Sequence, residues 1–213
     1  MELVYSEDRR RQETRELPDR DLALQARGGD MVAFEALVLR KTPAVISVAR
    51  RIVGNVEDAR DVAQMAFLRV WEQLSRYDET YSFNTWLYRI ATNLSIDFLR
   101  SSRSRERAHT ATLHLVRLRE SETGNETSRA AEDDSASRLF QRVSRRLTGK
   151  QKAAFVLREM EDLETSEIAA ILNCGESTVR NHLFNARKVL RREIERISPG
   201  LHRAAPRPDE EKS

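Results

Sequence analysis

The chain has one cysteine, Cys174. That excludes an internal disulfide framework and a cysteine-built zinc site. Its four histidines, His109, His114, His182 and His202, show no ligand spacing, so no metal site is expected. No paired carboxylates sit in a glycine-bounded stretch, and no glycine loop could cradle a phosphate, so neither catalytic residues nor a cofactor is expected. No run approaches the ~18 consecutive apolar residues of a membrane span. Met1 to Arg20 carries charge of both signs and no apolar core, which predicts no secretory leader. Apolar residues make up 39% of the 213 and charged residues 33%, with a mean hydropathy of -0.62. Such a chain folds with a lean core, as one medium domain or two small ones. These absences point to a cytoplasmic protein without membrane insertion.

Glycine is scarce, and all seven glycines fall at apparent breaks. Between them the apolar residues follow helical spacing, and no strict alternation is long enough for a sheet. The chain reads as all-α. Asp30 caps a helix whose inner face is Met31, Phe34, Leu37 and Val38. Thr42-Pro43 reads as the cap and first position of a new helix. Thr148-Gly149-Lys150-Gln151 fits a capping box. Residues 101–136 differ. Glu120 to Asp134 holds six acids and one arginine among small polar residues. It cannot bury enough apolar area to offset ordering entropy. It reads as a flexible acidic linker between two small helical domains, 19–100 and 137–198, with disordered tails at 1–18 and 199–213.

The net charge of +3 is unevenly placed: -1 over residues 1–100, 0 over 101–138 and +4 over 139–213. A basic C-terminal third suits a polyanion partner, although a solvated charged surface accounts for charge alone. The positions decide. Thr165 or Ser166 caps a short helix, with Ile168, Ala169, Ile171 and Leu172 inward. Asn173-Cys174-Gly175 forms a turn, with asparagine where the backbone goes left-handed and Cys174 packed inward rather than reactive. A second helix starts at Glu176 or Ser177 and buries Val179, Leu183, Ala186 and Leu190. No acid occurs from Ser177 to Arg192, while Arg180, Arg187, Lys188, Arg191 and Arg192 lie on its outer side. This is a helix-turn-helix whose second helix suits a major groove, with Asn181 as a further base or phosphate contact.

The first half holds a helix over 57–76 with Ala59, Val62, Ala63, Ala66, Phe67, Val70 and Leu74 on its apolar side. Asp58, Asp61 and Gln64 lie off that stripe. Five of the 13 aromatic residues then fall within 76–88: Tyr77, Tyr81, Phe83, Trp86 and Tyr88. Aromatics flanked by Arg76 and Arg89 can stack unpaired bases. They can equally form a compact aromatic core, and the residues alone leave both open.

The run Glu57 to Trp71 and the run Phe83 to Ala91, with Asn93, Asp97 and Arg100 following, resemble region two of bacterial sigma factors. Leu147 to Arg192 resembles region four. Two helical regions with no third domain are the pattern of the extracytoplasmic-function (ECF, group IV) sigma factors. The resemblance implies promoter recognition without catalysis. It implies that Asp58, Asp61 and Gln64 meet the clamp helices of the largest core RNA polymerase subunit. It implies that Phe83, Asn84, Trp86, Arg89, Asn93, Asp97 and Arg100 capture the minus-ten element as single-stranded DNA, with Phe83 and Trp86 alternatively structural. Ser177, Thr178, Arg180, Asn181, Phe184, Arg187 and Lys188 would read the minus-thirty-five element as duplex DNA, beside the flap of the second-largest subunit. Further implied are an anti-sigma factor as partner, sometimes holding such proteins at the inner membrane, a monomeric free state, and an acidic linker threading the polymerase channel. The sequence departs from the pattern at Asn173 and at Glu161-Asp162, both places where glycine is usual.

Two rivals stand beside this reading. A one-component repressor would use the helix-turn-helix but leave Asp61, Gln64 and the aromatic cluster without purpose. An enzyme acting on nucleic acid would need a catalytic constellation that the sequence does not offer.

Overall fold

The protein, represented by a computed structural model, is described at residues 12, 14–117 and 135–197, with side chains given except at 106–117 and 135. Every regular element among the described residues is helical. Helix α1 spans Asp19–Arg27 and stops at Gly28-Gly29. Asp30 caps α2, Met31–Val53, its carboxylate accepting from the Val32 and Ala33 amides at 2.9 and 3.2 Å. Gly54 ends α2 at φ 110°, a left-handed conformation that favours glycine. Asn55 caps α3, Val56–Gln73, and one 3₁₀ turn, Leu74–Arg76, follows. Helix α4 runs Phe83–Arg117. The second half holds α5 (Ser135–Val143), a 3₁₀ turn (Ser144–Arg146), α6 (Gly149–Glu159), α7 (Thr165–Leu172) and α8 (Glu176–Ile197).

Four local expectations need correction. No helix starts at Thr42-Pro43: α2 passes through Pro43 unbroken. Leu37 on one side of the proline and Val45 and Val48 on the other are fully buried, so packing overrides the helix-breaking tendency. The Thr42 hydroxyl meanwhile donates to the Val38 carbonyl at 2.6 Å. Met31 faces outward, 59% exposed, and Ala33 and Ala36 take the inner face. The cap of α7 is Glu164, boxed with Glu167, because the chain is already helical at Thr165. Finally, α4 continues to Arg117 rather than ending near 100. The acidic run 120–134 lies outside the described residues, as do Arg9 to Arg11 and the tail 199–213.

Helices α1 to α4 enclose a first core built on Leu22, Leu37, Val45, Val70 and Leu87. A second core is shared between the two halves. Val48 and Ile52 of α2 are fully buried in one cluster with Leu157, Ile168, Ile171 and Val179, and Tyr88, Ile96 and Leu99 of α4 pack against it. Each such aliphatic side chain contributes about 1.5–3 kcal/mol by burial. Gly149 lets α6 begin hard against α4: a Cβ there would meet Ile96 Cγ2 at 3.1 Å.

Polar groups lace the same junction. Gln141 of α5 donates to the carbonyls of Arg50 and Arg51 at 3.1 and 3.0 Å, near the end of α2. Its amide oxygen accepts from Lys152 Nζ at 2.8 Å. Lys152 is only 4% exposed, and its ammonium lies 5.7 Å from the centre of the Phe140 ring. Burial, then the positive charges of Arg103 and Arg145, push its pKa down to about 8. Glu161 accepts from Arg51 at 2.5 Å and from the Tyr88 hydroxyl at 3.4 Å. Burial raises the Glu161 carboxyl against the pull of Arg51 and Tyr88, and burial with the Glu161 charge pushes Tyr88 up to about 12. At Asp162 the chain turns at φ 52°, a conformation glycine would take without strain.

Candidate nucleic-acid interface

The helix-turn-helix forms as its residues dictate. Glu164 and Glu167 box the start of α7, the Glu164 amide donating to the Glu167 carboxylate at 2.9 Å. Asn173 takes the left-handed conformation at φ 49° and ψ 59°. Cys174 is half-buried against the shared core, and its amide donates to the Ala169 carbonyl at 3.0 Å. Val179, Leu183, Ala186 and Leu190 are buried, which fixes the roll of α8. That roll turns Ser177, Thr178, Arg180, Asn181, Phe184, Arg187 and Lys188 all to solvent. Phe184 is 65% exposed, an unusual position for a phenylalanine without a partner. Arg180 pairs with Glu176 at 3.2 Å and Arg187 with Glu159 at 2.5 Å. Exposed pairs like these are worth about 0–1 kcal/mol, so they do little to hold either arginine in place.

The aromatic cluster resolves into two parts. Tyr77 and Phe83 are buried, with ring centres 5.8 Å apart, edge to face. Trp86 packs on both, at 5.3 and 6.0 Å, but keeps one side exposed. The compact-core alternative therefore describes Phe83, which is 2% exposed and turned into the first core. Asn84 stands exposed on the first turn of α4, where the Ser82 hydroxyl accepts from the Thr85 amide at 3.1 Å. Arg89, Asn93, Asp97 and Arg100, spaced four, four and three, form one exposed stripe along α4. Asp97 and Arg100 pair with each other.

Beside that stripe lies a cleft of about 350 Å³ between α3 and α4. Trp86, Ile90 and Leu94 give it apolar surface, and Arg89, Asn93 and Asp97 form one wall. Arg69 and Gln73 of α3 form the other wall, and sequence reasoning missed both. Their one sequence signal was a position off the apolar stripe of α3.

On the far side of α3, Asp61 and Gln64 are exposed, as expected. Asp58 is half-buried and tied to the helix start, its amide donating to Asn55 Oδ1 at 2.8 Å. Met65, Leu68 and Trp71 continue the same face at helical spacing, all exposed. Between this face and α2 runs an apolar groove of about 620 Å³, floored by Phe34, Val38 and Phe67 and rimmed by Met31, Leu68 and Trp71. The ring centres of Phe34 and Trp71 are 4.8 Å apart. An exposed apolar strip bordered by polar side chains is the kind of surface that a protein partner, a membrane or a ligand covers. Sequence reasoning named its polar border and missed its apolar part.

Among the described residues no helix is long and apolar enough to cross a membrane, and no three His, Cys, Asp or Glu side chains gather as a metal site would require.

Residues 37–105 match the family model for sigma-70 region 2, and residues 137–190 match that for sigma-70 region 4. The chain is 31% identical to the ECF RNA polymerase sigma factor SigW of Bacillus subtilis, over 80% of this chain and 93% of the relative. It is 30% identical to the ECF RNA polymerase sigma-E factor of Escherichia coli K12, over 84% of this chain and 96% of the relative. Its fold is similar to that of CnrH in complex with the cytosolic domain of CnrY, at a TM-score of 0.60 and 28% identity, covering 84% of this chain and 99% of that one. The sigma factor RpoE of Bartonella quintana, in complex with the anti-sigma factor NepR, shares the fold at a TM-score of 0.52 and 17% identity, covering 76% of this chain and 96% of that one.

Proposed function

The chain belongs to the ECF sigma factors, and from that premise we propose that it docks on core RNA polymerase and directs initiation at promoters of its own specificity. Helix α3 carries the docking face: Asp61 and Gln64 meet the clamp helices of the largest subunit, beside the apolar strip of Met65, Leu68 and Trp71. The module of α5 to α8 sits near the flap of the second-largest subunit. There α8 reads the minus-thirty-five duplex through Arg180, Asn181, Phe184, Arg187 and Lys188, with Ser177 and Thr178 on the phosphates at the helix start. The α4 stripe holds the minus-ten strand once melted, and converts unstacking, a few kcal/mol per step, into specificity. Phe83 supports that surface from beneath rather than touching DNA. The function is recognition, with no reaction carried by this chain.

The observation that carries this reading is the partition of faces. Of all the residues nominated for polymerase or DNA, only Phe83 is buried, while the residues between them build the cores. The free protein acts as a cytoplasmic monomer that joins the nucleoid with polymerase. An anti-sigma factor restrains it, in line with the complex of the related fold with NepR. Two modules, 19–100 and 137–198, then part to reach their two promoter elements.

The test is a pull-down with core polymerase and transcription in the same tubes, wild type beside an Asp61→Arg, Gln64→Ala double variant. The expected result is tight wild-type binding with promoter-specific transcripts, both lost in the variant. Dimeric binding of the free protein to duplex DNA, with no affinity for polymerase, would overturn the reading in favour of a repressor.

A further inference from the structure

Between α4 and the second module lies a cleft of about 560 Å³. Ile96 and Leu99 of α4 give it apolar surface, and both also pack against the core that the two modules share. Its ionisable lining is basic throughout. Arg100 and Arg103 come from α4, Lys150 from the first turn of α6 and His182 from α8. No acid is among the described residues that line it. Arg103 is held in place across the junction, its Nη2 donating to the carbonyls of Arg145 and Leu147 at 3.0 and 2.9 Å. Arg100 has an exposed pair with Asp97, which holds it weakly.

This crowding of positive charge is felt by its neighbours. Burial, then Lys150, push the His182 imidazole down from its ordinary value. Burial, then Arg103 and Arg145, do the same to Lys152. An anion set among these groups would relieve that repulsion. Promoter DNA does not account for the cleft. His182 is half-buried and leaves α8 roughly half a turn round from Arg180, Phe184 and Arg187. Modules that part to reach two promoter elements also carry the two walls away from each other.

The chemistry of the lining selects a ligand class. Guanidinium forks and an ammonium suit phosphate oxygens. Two aliphatic side chains beside them suit an organic body attached to the phosphates. The volume falls within the roughly 300–1,000 Å³ of small-molecule sites. We propose that this cleft binds a small polyphosphate, free or carried on a nucleoside, which bridges Arg100 and Arg103 of one module to Lys150 and His182 of the other. Such a ligand recognises only the closed arrangement. By linkage it holds the modules together and opposes docking on polymerase. That consequence rests on the function proposed above, whereas the site does not.

The test titrates the full chain with inorganic tripolyphosphate, ATP and GTP at constant ionic strength, with sulfate as the control anion. One tripolyphosphate should bind per chain. Lys150→Gln and His182→Gln should each weaken it, Lys150→Gln by about 10-fold. Arg192→Gln, which removes an exposed charge elsewhere on α8, should bind as wild type does. Melting temperatures without the anion show that each variant folds. Tripolyphosphate should also slow amide exchange in both α4 and α6. Tighter binding of a nucleotide than of tripolyphosphate identifies the nucleoside form, and equal binding the inorganic one. At ten times its Kd, tripolyphosphate should lower wild-type affinity for core polymerase about 10-fold, and affect Lys150→Gln far less. Equal binding by wild type, Lys150→Gln and His182→Gln, or an equal loss in Arg192→Gln, would mean diffuse attraction to positive charge and overturn the site. Binding that leaves polymerase affinity unchanged would overturn the bridging role. A wild type that ignores polymerase even without the anion would sink the sigma reading, while titration and exchange still judge the site.

Discussion

Lys152 sits where a charge is least welcome, and replacing it with methionine gives a quantitative test of the junction. The ammonium is almost fully buried, and its pKa falls from 10.5 to about 8. In the unfolded chain the amine stays protonated up to about pH 10.4. Between those values the unfolded state binds more protons, so stability rises with pH across that window. At pH 7 both states are charged, and the buried charge costs about 3 kcal/mol relative to the neutral amine. About 2 kcal/mol of that should be recovered between pH 7 and about pH 9.5. Lys152→Met keeps the length and removes the proton. It leaves the Gln141 oxygen without its donor, a loss of about 1–3 kcal/mol, so its stability at pH 7 should stay within about 2 kcal/mol of wild type. Its gain on going to pH 9.5 should vanish. Urea unfolding followed by circular dichroism at several pH values measures both. Other groups titrate alike in the two proteins and cancel in the difference. Parallel stability profiles for wild type and variant would refute the reasoning, because they would mean that Lys152 reaches water in the folded state.

Three further outcomes follow from positions already described. Ile52→Ala, in the first module but buried against the second, should lower stability by about 2–5 kcal/mol, and amide exchange should show α6 and α7 losing protection along with α2. Asn173→Gly should hold or slightly raise stability, while Asn173→Val should lower it by about 1–2 kcal/mol, because a β-branched residue resists the left-handed backbone. Thermal unfolding of the pair decides it. Arg180→Ala should leave the melting temperature unchanged, since its pair with Glu176 is exposed. It should weaken the holoenzyme's hold on duplex promoter DNA by about 1–3 kcal/mol, read by competition among single-base variants.

The parts of the fold that were legible in the sequence are those governed by local chemistry. The cap at Asp30, the box at Thr148 and Gln151, the left-handed Asn173 and the buried stripe of α8 each follow from a few adjacent residues. Pro43 misled because its local preference lost to an apolar face continuing on both sides. Phe83 was ambiguous for a similar reason. Whether an aromatic stacks on a base or on Tyr77 depends on how α4 rolls, and the first core sets that roll. Arg69 and Gln73 went unseen because a cleft belongs to two helices, and a one-dimensional stripe displays one at a time. The junction was equally hidden. Val48 and Ile52 looked like ordinary core of the first module, and nothing in their spacing says that the second module covers them.

That junction has a consequence for how the protein behaves at different concentrations. The two faces that meet there are complementary and belong to one chain, so they find each other at the effective concentration their connection sets, millimolar when that connection is short and flexible. At the micromolar levels of an ordinary assay, each chain satisfies its own faces. In a chain opened by mutation, the exposed Val48 and Ile52 would match the second module of any other open chain equally well. Two such chains can then close reciprocally, each module of one against its counterpart in the other. The apolar contact that keeps one copy folded on itself is therefore also a route to a swapped dimer.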